Sequence, residues 1–206
     1  VDGAGGLISH QEVRRAVRRF FDELAPRWDA IIDPAHGWRL TALLAGIEWP
    51  VPVLDAGAGT GIMWEVLRVF GVPRAAVVAV DIAPRMLAAS RCAPPERVAA
   101  DVHGLPFADG TFGSVVCNSC LPHFDQLDRA LDELARVLRP GGLLVVCHSE
   151  PREVINRHHR ETGGVVSGHE LPEPEALGAM LRLRGLTPEV LQDGPPGYLV
   201  TACKEQ

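Results

Sequence analysis

At 206 residues, with 47% hydrophobic and 22% charged side chains, the chain has the make-up of one globular domain with a full core, which excludes a disordered protein. A net charge of −6, from 20 Lys and Arg against 26 Asp and Glu, offers no basic field, so no nucleic-acid partner is expected. No apolar run approaches a membrane span of about 18 residues, Val1-Asp2-Gly3-Ala4-Gly5-Gly6 lacks the parts of a secretory leader, and five widely spaced cysteines do not form a disulfide framework; a cytoplasmic α/β protein is expected.

The first predicted element is a helix over 9–24. Ser9 and Glu12 fit a capping box, and Val13, Val17, Phe20, Phe21 and Leu24 form one apolar stripe. Arg14, Arg15, Arg18 and Arg19 lie on the opposite face, which reads as a solvated face. A second helix is expected over 36–45. From Val51 the pattern alternates: a strand over 51–55, a turn at Gly57, Gly59 and Gly61, and a helix through Met63, Val66, Leu67 and Phe70 that Gly71 and Pro73 stop. Strands over 77–81, 98–101 and 114–118 follow, with Pro84 at a helix start. Phe124, Leu127, Leu131, Leu134 and Leu138 mark an amphipathic helix, ended by Arg139-Pro-Gly-Gly142 before a strand over 143–147. Alternation of this kind implies a parallel sheet covered on both faces. The last two strand-like runs, 187–192 and 198–203, are joined by only Gly194-Pro-Pro-Gly197, so they must be antiparallel neighbours.

The strand, glycine turn and helix at 51–70 read as a ligand site, because glycines let a ligand reach backbone beside a helix start. A dinucleotide fingerprint would be G-x-G-x-x-G. Here the spacing is Asp55-x-Gly57-x-Gly59-x-Gly61, with Ile62 where the third glycine of that fingerprint belongs. A carboxylate at the strand end repels a pyrophosphate and suits a cation. Asp81 ends the next strand, where a carboxylate can accept both hydroxyls of a ribose, although it also fits as a helix cap before Pro84. Asp101 ends the third strand and is placed to meet an adenine amino group.

Six stretches then align in order with a known family: 21–29 (FDELAPRWD), 53–61 (VLDAGAGTG), 80–87 (VDIAPRML), 100–102 (ADV), 105–112 (LPFADGTF) and 133–142 (ELARVLRPGG). With these the chain resembles the class I S-adenosylmethionine-dependent methyltransferases, most closely the small-molecule branch with the ubiquinone/menaquinone C-methyltransferases. The resemblance implies a Rossmann-like α/β fold, with a seven-stranded sheet of order 3-2-1-4-5-7-6, strand 7 antiparallel, and helices on both faces. It implies S-adenosyl-L-methionine as cofactor, with Asp55, Gly57, Gly59 and Gly61 at its methionine part and Asp81 on its ribose. Ile82 and Met86 are expected beside the adenine, Asp101 and Val102 at its edge, Asn118 and Ser119 near the methyl, and Trp28 and Asp29 in a segment folded over it. Gly113 departs from the family, which usually has Asp there. Residues 1–48 are expected to cover the cofactor site, and 49–206 to form the transferase domain with a His-rich lid at about 150–172.

The acceptor side is less family-like. A lid helix over 151–162 would put Val154, Ile155, His158 and Thr162 on one face and Arg152, Asn156 and His159 on another. Arg152, Asn156 and Cys120 are the candidate contacts to a partly apolar small-molecule acceptor. His148, His159 and His123 are the candidate bases, His being the side chain suited to proton transfer near pH 7. No metal is assigned, but Cys117-Asn-Ser-Cys120 and Cys147-His148 leave open a metalloid or thiol methyltransferase using Cys120 and the lid histidines. A nicotinamide-dependent oxidoreductase and a non-catalytic cofactor- or metal-binding regulator are the rivals from other classes. Oligomeric state is left open.

Overall fold

A computed structural model describes residues 9–90 and 96–206; the expectation for the first six residues, and Cys92, lie outside them. Seven strands form one sheet of order β3-β2-β1-β4-β5-β7-β6: β1 (Val53–Ala56), β2 (Val77–Asp81), β3 (Glu96–Ala99), β4 (Phe112–Asn118), β5 (Leu138–His148), β6 (Leu186–Gly194) and β7 (Gly197–Lys204). The first five are parallel. β7 runs antiparallel to both β5 and β6, as the short link at 194–197 requires.

Helices α1 (His10–Leu24), α2 (Trp28–Ile31) and α3 (His36–Leu43) precede the sheet, and α4 (Ile62–Val69), α5 (Pro84–Ala89) and α6 (Leu127–Val137) cross between its strands. The insertion after β5 carries α7 (Arg152–Thr162), and α8 (Pro174–Arg182) leads into the hairpin. Side chains of β1, β4 and β5 alternate between two buried cores, so these strands read as near-continuous apolar runs. One core joins α3 and α4 to Val53, Val116 and Val145. The other joins α6 and α8 to Leu54, Val115, Val146 and Tyr198.

Several boundaries differ from the sequence reading, each for a local reason. β1 starts at Val53, where the ladder to β4 opens with the Pro52 carbonyl accepting from the Gly113 and Ser114 N–H groups. β3 ends at Ala99, since Asp101 caps a short 3-10 turn instead, accepting from the N–H of His103. β5 begins at Leu138, paired with Phe112 before a register shift, so Arg139-Pro-Gly-Gly142 forms a bulged strand rather than a stop. Gly113 is more than a lost loop contact: a Cβ there would lie 2.6 Å from the Pro50 carbonyl oxygen. This chain runs residues 50–51 so close to β4 that no side chain fits.

Candidate active site

The carboxyl ends of β1, β2 and β4 meet at the glycine turn. Gly57, Gly59 and Gly61 all have positive φ, and a Cβ on Gly57 would stand 2.5 Å from Cβ of Cys120. The turn consumes its own donors: Gly57 and Ala58 N–H both bond the Val80 carbonyl, at 2.8 and 2.9 Å, and Gly59 N–H bonds Asp81 Oδ2 at 2.8 Å. Three amides that a phosphate would need are thus already taken. Asp55 lies beneath, 1% exposed, and neither of its oxygens has a hydrogen-bond partner among the described residues. Burial, with Asp81 close by, pushes its carboxyl up to about 8. An orphaned buried carboxyl of this kind gains its charge when a cationic group is placed beside it, and has nothing to offer a pyrophosphate.

Asp81 is the hinge of the turn. Its Oδ1 accepts from Ala83 N–H at 2.8 Å, its Oδ2 from Gly59, and burial outweighs these bonds to raise its pKa. Each oxygen keeps a second lone pair for a ribose hydroxyl. Next to it a cleft of about 330 Å³ is lined by Ile82, Pro84, Ala99, Ala100, Asp101 and Arg14. Asp101 does not wait there unpaired: Oδ1 takes His103 Nδ1 at 2.6 Å, and Oδ2 takes Arg14 Nε at 2.9 Å. Burial opposes its charge, but the His103 bonds and Arg14 outweigh it and hold the carboxyl low. Arg14 corrects the reading of its stripe as a solvated face, because its Nη1 also reaches Asp125 at 3.3 Å and Gln126 at 3.0 Å. Arg15 and Arg18 also line the cleft, Arg18 pairing with Asp22 at 3.5 Å, and Arg19 faces solvent.

The N-terminal segment closes over this crevice through three further contacts. Thr60 Oγ1 donates to Asp29 Oδ1 at 2.6 Å, Asp22 Oδ1 accepts from Arg85 N–H at 2.9 Å at the start of α5, and Trp28 and Phe21 pack on Ala83 and Met86. Met86 is 2% exposed, under these rings, and Val102 is buried in the core beside the cleft. At the end of β4, Asn118 is buried, with its Oδ1 accepting from Ser119 Oγ at 3.3 Å. Ser119 has φ 55°, the one positive φ outside glycine among the described residues, and it turns the chain sharply at the mouth of the site.

The insertion after β5 brings some expected residues together and withdraws others. His123, His159 and His169 form one cluster: His123 Nδ1 is 2.9 Å from His169 Nδ1, and the His123 and His159 rings are 5.0 Å apart. His159 Nδ1–H donates to the His169 carbonyl at 2.7 Å. Burial lowers the pKa of each, aided by the other histidines. Phe21 continues the wall, 5.0 Å from the His123 ring. His148 is 1% exposed at the end of β5, and burial takes its imidazole down to about 3. His36 Nδ1 meets Ser149 Oγ at 2.7 Å and so ties α3 to the same strand end.

Asn156 is corrected from acceptor contact to lid staple, since Nδ2 donates to the Leu171 carbonyl (3.2 Å) and Oδ1 accepts its N–H (2.7 Å). Arg152 is held by Glu173 and Asp193 at the lid's start. Cys120 lies under the glycine turn, its thiol on the Ala56 carbonyl at 3.0 Å and its pKa raised by burial. A buried thiol in this state is a packing group, which removes it from the acceptor contacts and removes the metalloid or thiol reading built on it. Among the described residues no group of three His, Cys, Asp or Glu is arranged to hold a metal ion.

A doubly crossed sheet with a reversed seventh strand, a donor-poor glycine turn and two carboxylates at adjacent strand ends defines a class that binds a cationic nucleoside rather than a dinucleotide. Comparison with known proteins agrees. The family described as "Methyltransferase domain" matches residues 54–146. A demethylmenaquinone methyltransferase of Thermus thermophilus is 33% identical over 201 residues, covering 81% of this chain and 91% of that protein. The Burkholderia thailandensis 1,6-didemethyltoxoflavin-N1-methyltransferase, solved with 1,6-didemethyltoxoflavin and S-adenosylhomocysteine, superposes with TM-score 0.69 at 27% identity, covering all of this chain and 94% of that one. A Thermotoga maritima methyltransferase shares the fold at TM-score 0.72 and 16% identity, covering 91% of this chain and 99% of that one. The chain belongs to the class I S-adenosylmethionine-dependent methyltransferases, in their quinone-methyltransferase-like branch. Its cofactor is S-adenosylmethionine, and the oxidoreductase and regulator readings are set aside.

Proposed function

We propose that this enzyme moves a methyl group from S-adenosylmethionine to a small, partly apolar acceptor held between the glycine turn and the lid. The observation that carries the reading is the buried Asp55 carboxylate without a partner, one strand from Asp81. S-adenosylmethionine supplies a methyl already activated on a sulfonium sulfur, open to in-line displacement. Asp55 with Gly57, Gly59 and Gly61 would hold its charged amino-acid end. Asp81 would take the ribose, Ile82, Met86, Asp101 and Val102 the adenine side, and Asn118 and Ser119 the mouth near the methyl. Trp28 and the rest of residues 9–48 would shut out water above it. Alignment then does most of the work.

On the acceptor side, His123, His159 and His148 are the groups proposed to touch the acceptor or take its proton. Their lowered pKa values leave them neutral near pH 7 and able to accept a hydrogen bond from the acceptor, with His148, taken down to about 3, a weak base. Arg152 would close the pocket from the start of α7. Related enzymes whose names specify demethylmenaquinone and didemethyltoxoflavin support a planar small-molecule acceptor here. With a net charge of −6 we assign no nucleic-acid partner, and we place the enzyme in the cytoplasm; among the described residues no helix is long and apolar enough to cross a membrane. The test is calorimetry with S-adenosylmethionine, S-adenosylhomocysteine and NADH. The first two should bind and NADH should not. His148→Ala and His159→Ala should bind S-adenosylhomocysteine like the wild type while transferring methyl more slowly. Binding of NADH alone would overturn the assignment.

A further inference from the structure

One buried histidine is used neither by the glycine turn nor by the acceptor side. His103 is 5% exposed, and its ring stands between two carboxylates. Nδ1 lies 2.6 Å from Asp101 Oδ1, while Nε2 accepts the Gln126 N–H at 3.4 Å and stands 3.4 Å from Asp125 Oδ1. Phe124 meets the imidazole edge to face, with centroids 6.1 Å apart, and the His103 carbonyl accepts from Arg129 Nε at 2.9 Å. Burial works against the Asp101 charge, but the His103 bonds and Arg14 keep it a carboxylate. A carboxylate only accepts, so Nδ1 carries the hydrogen of its bond to Asp101. The two Asp101 oxygens are then unequal. Oδ1 takes two donors, the His103 N–H at 3.0 Å and Nδ1–H, which fill its lone pairs. Oδ2 takes only Arg14 Nε at 2.9 Å, because Arg14 directs Nη1 to Asp125 and Gln126 instead. One lone pair of Oδ2 stays open, on a side chain that is 35% exposed and lines the cleft of about 330 Å³.

We propose that His103 is a positioning residue for base selection: by holding Asp101 Oδ1 it keeps the open lone pair of Oδ2 in the cleft, where it accepts from the amino group of adenine and turns away a purine with a carbonyl at that position. The alternative partner of Asp101 is Arg14. Guanidinium and carboxylate prefer to meet through two parallel bonds, and only the His103 bond to Oδ1 keeps the Arg14 fork from closing on both oxygens. A carboxylate clamped in that way has no acceptor left for the base. The apolar lining at Ile82, Pro84, Ala99 and Ala100 suits the flat face of any purine, so it does not tell an amino group from a carbonyl. That choice falls to Oδ2, since a carbonyl oxygen placed against it sets two acceptors together in a partly buried site. His103 itself never touches the base; it acts through Asp101.

This inference rests on the placement of the cofactor's adenine in the cleft, and calorimetry separates the two. The wild type is titrated with S-adenosylhomocysteine and with S-inosylhomocysteine, in which a carbonyl oxygen replaces the amino group of the base. It should bind the first at least about tenfold more tightly. His103→Asn sets an amide N–H where Nδ1 stands, and it should keep that preference to within about threefold. His103→Gln reaches the Nε2 side and not Asp101, and it should lose most of the preference. Each ratio compares two ligands on the same folded protein, so a change in stability cancels, and a merely structural histidine would leave the ratio unmoved. No preference in the wild type, an intact preference in His103→Gln, or a lost one in His103→Asn would overturn the role of His103 while leaving methyl transfer standing. Failure of the wild type to bind S-adenosylhomocysteine would overturn both.

Discussion

Nδ1 of His123 sits 2.9 Å from Nδ1 of His169, so one nitrogen must carry the proton and the other accept it. Protonating the accepting nitrogen breaks that bond and sets an imidazolium against the other ring's N–H beside His159. All three pKa values are lowered in the closed protein, whereas an opened lid exposes histidines that titrate near 6.5. Protons therefore go first to the open form: closure is full above about pH 6.5 and is lost as pH falls below it. The facing groups are His148, His158 and Asp125; Asp125 resists the trend by raising His169, and the His169 carbonyl does so by raising His159. Hydrogen exchange of the α7 amides, corrected for intrinsic rates, should lose about tenfold or more protection between pH 7.5 and 5.5. His169→Gln should blunt the change, and equal protection at both pH values would contradict it.

Asp55 acts in the opposite direction. Its carboxyl is raised to about 8 in the folded protein, above the ordinary 3.8, so the folded state holds a proton that the unfolded chain releases. That stability is present below about pH 4 and lost as pH rises to about 8. Asp55→Asn should remove this slope. Its melting point should exceed the wild type's by a margin that grows from pH 4 to 8 and then levels, while S-adenosylmethionine binds at least about tenfold more weakly. A variant both less stable at pH 8 and equally able to bind would refute the orphaned-carboxylate assignment.

Gly113 gives a steric test. Restoring the family's usual residue, Gly113→Asp, places a Cβ against the Pro50 and Val51 carbonyls. The expected cost is about 1–3 kcal/mol in denaturant unfolding, from overpacking. A stability equal to the wild type's would show that residues 50–51 can move away.

Arg14 ties α1 to the adenine-side cleft through Asp101 and Asp125. Arg14→Ala should weaken S-adenosylhomocysteine binding by about three- to tenfold, as expected for the loss of partly screened charge pairs. The exposed Arg19→Ala should leave it unchanged. Equal effects from both would reduce Arg14 to general surface charge.

What the sequence disclosed follows from the range of the interactions involved. The reversed seventh strand was legible because Gly194-Pro-Pro-Gly197 is too short for a crossover, whereas the full strand order came with the family resemblance. Asp55, the three glycines and Asp81 were legible because one strand–turn–helix and its neighbour carry them at fixed spacing. Contacts between distant segments were not. Asn156 was assigned to the acceptor because helical periodicity gives its face but not its partner, the Leu171 backbone fifteen residues on. Arg14 was assigned to solvent because its two partners come from the end of β3 and the start of α6. Tyr198 had one available signal: a lone tyrosine on the inner strand of the hairpin, directly opposite a histidine once that strand is paired with β5.

The cofactor assignment turns most directly on Asp81, the carboxylate that braces the glycine turn and that we propose takes the ribose. Calorimetric titration of S-adenosylhomocysteine into folded Asp81→Ala should show affinity at least about 100-fold below the wild type's, the loss expected for charge-assisted hydrogen bonds to two hydroxyls. A wild-type dissociation constant in that variant would contradict the placement of the cofactor in this crevice.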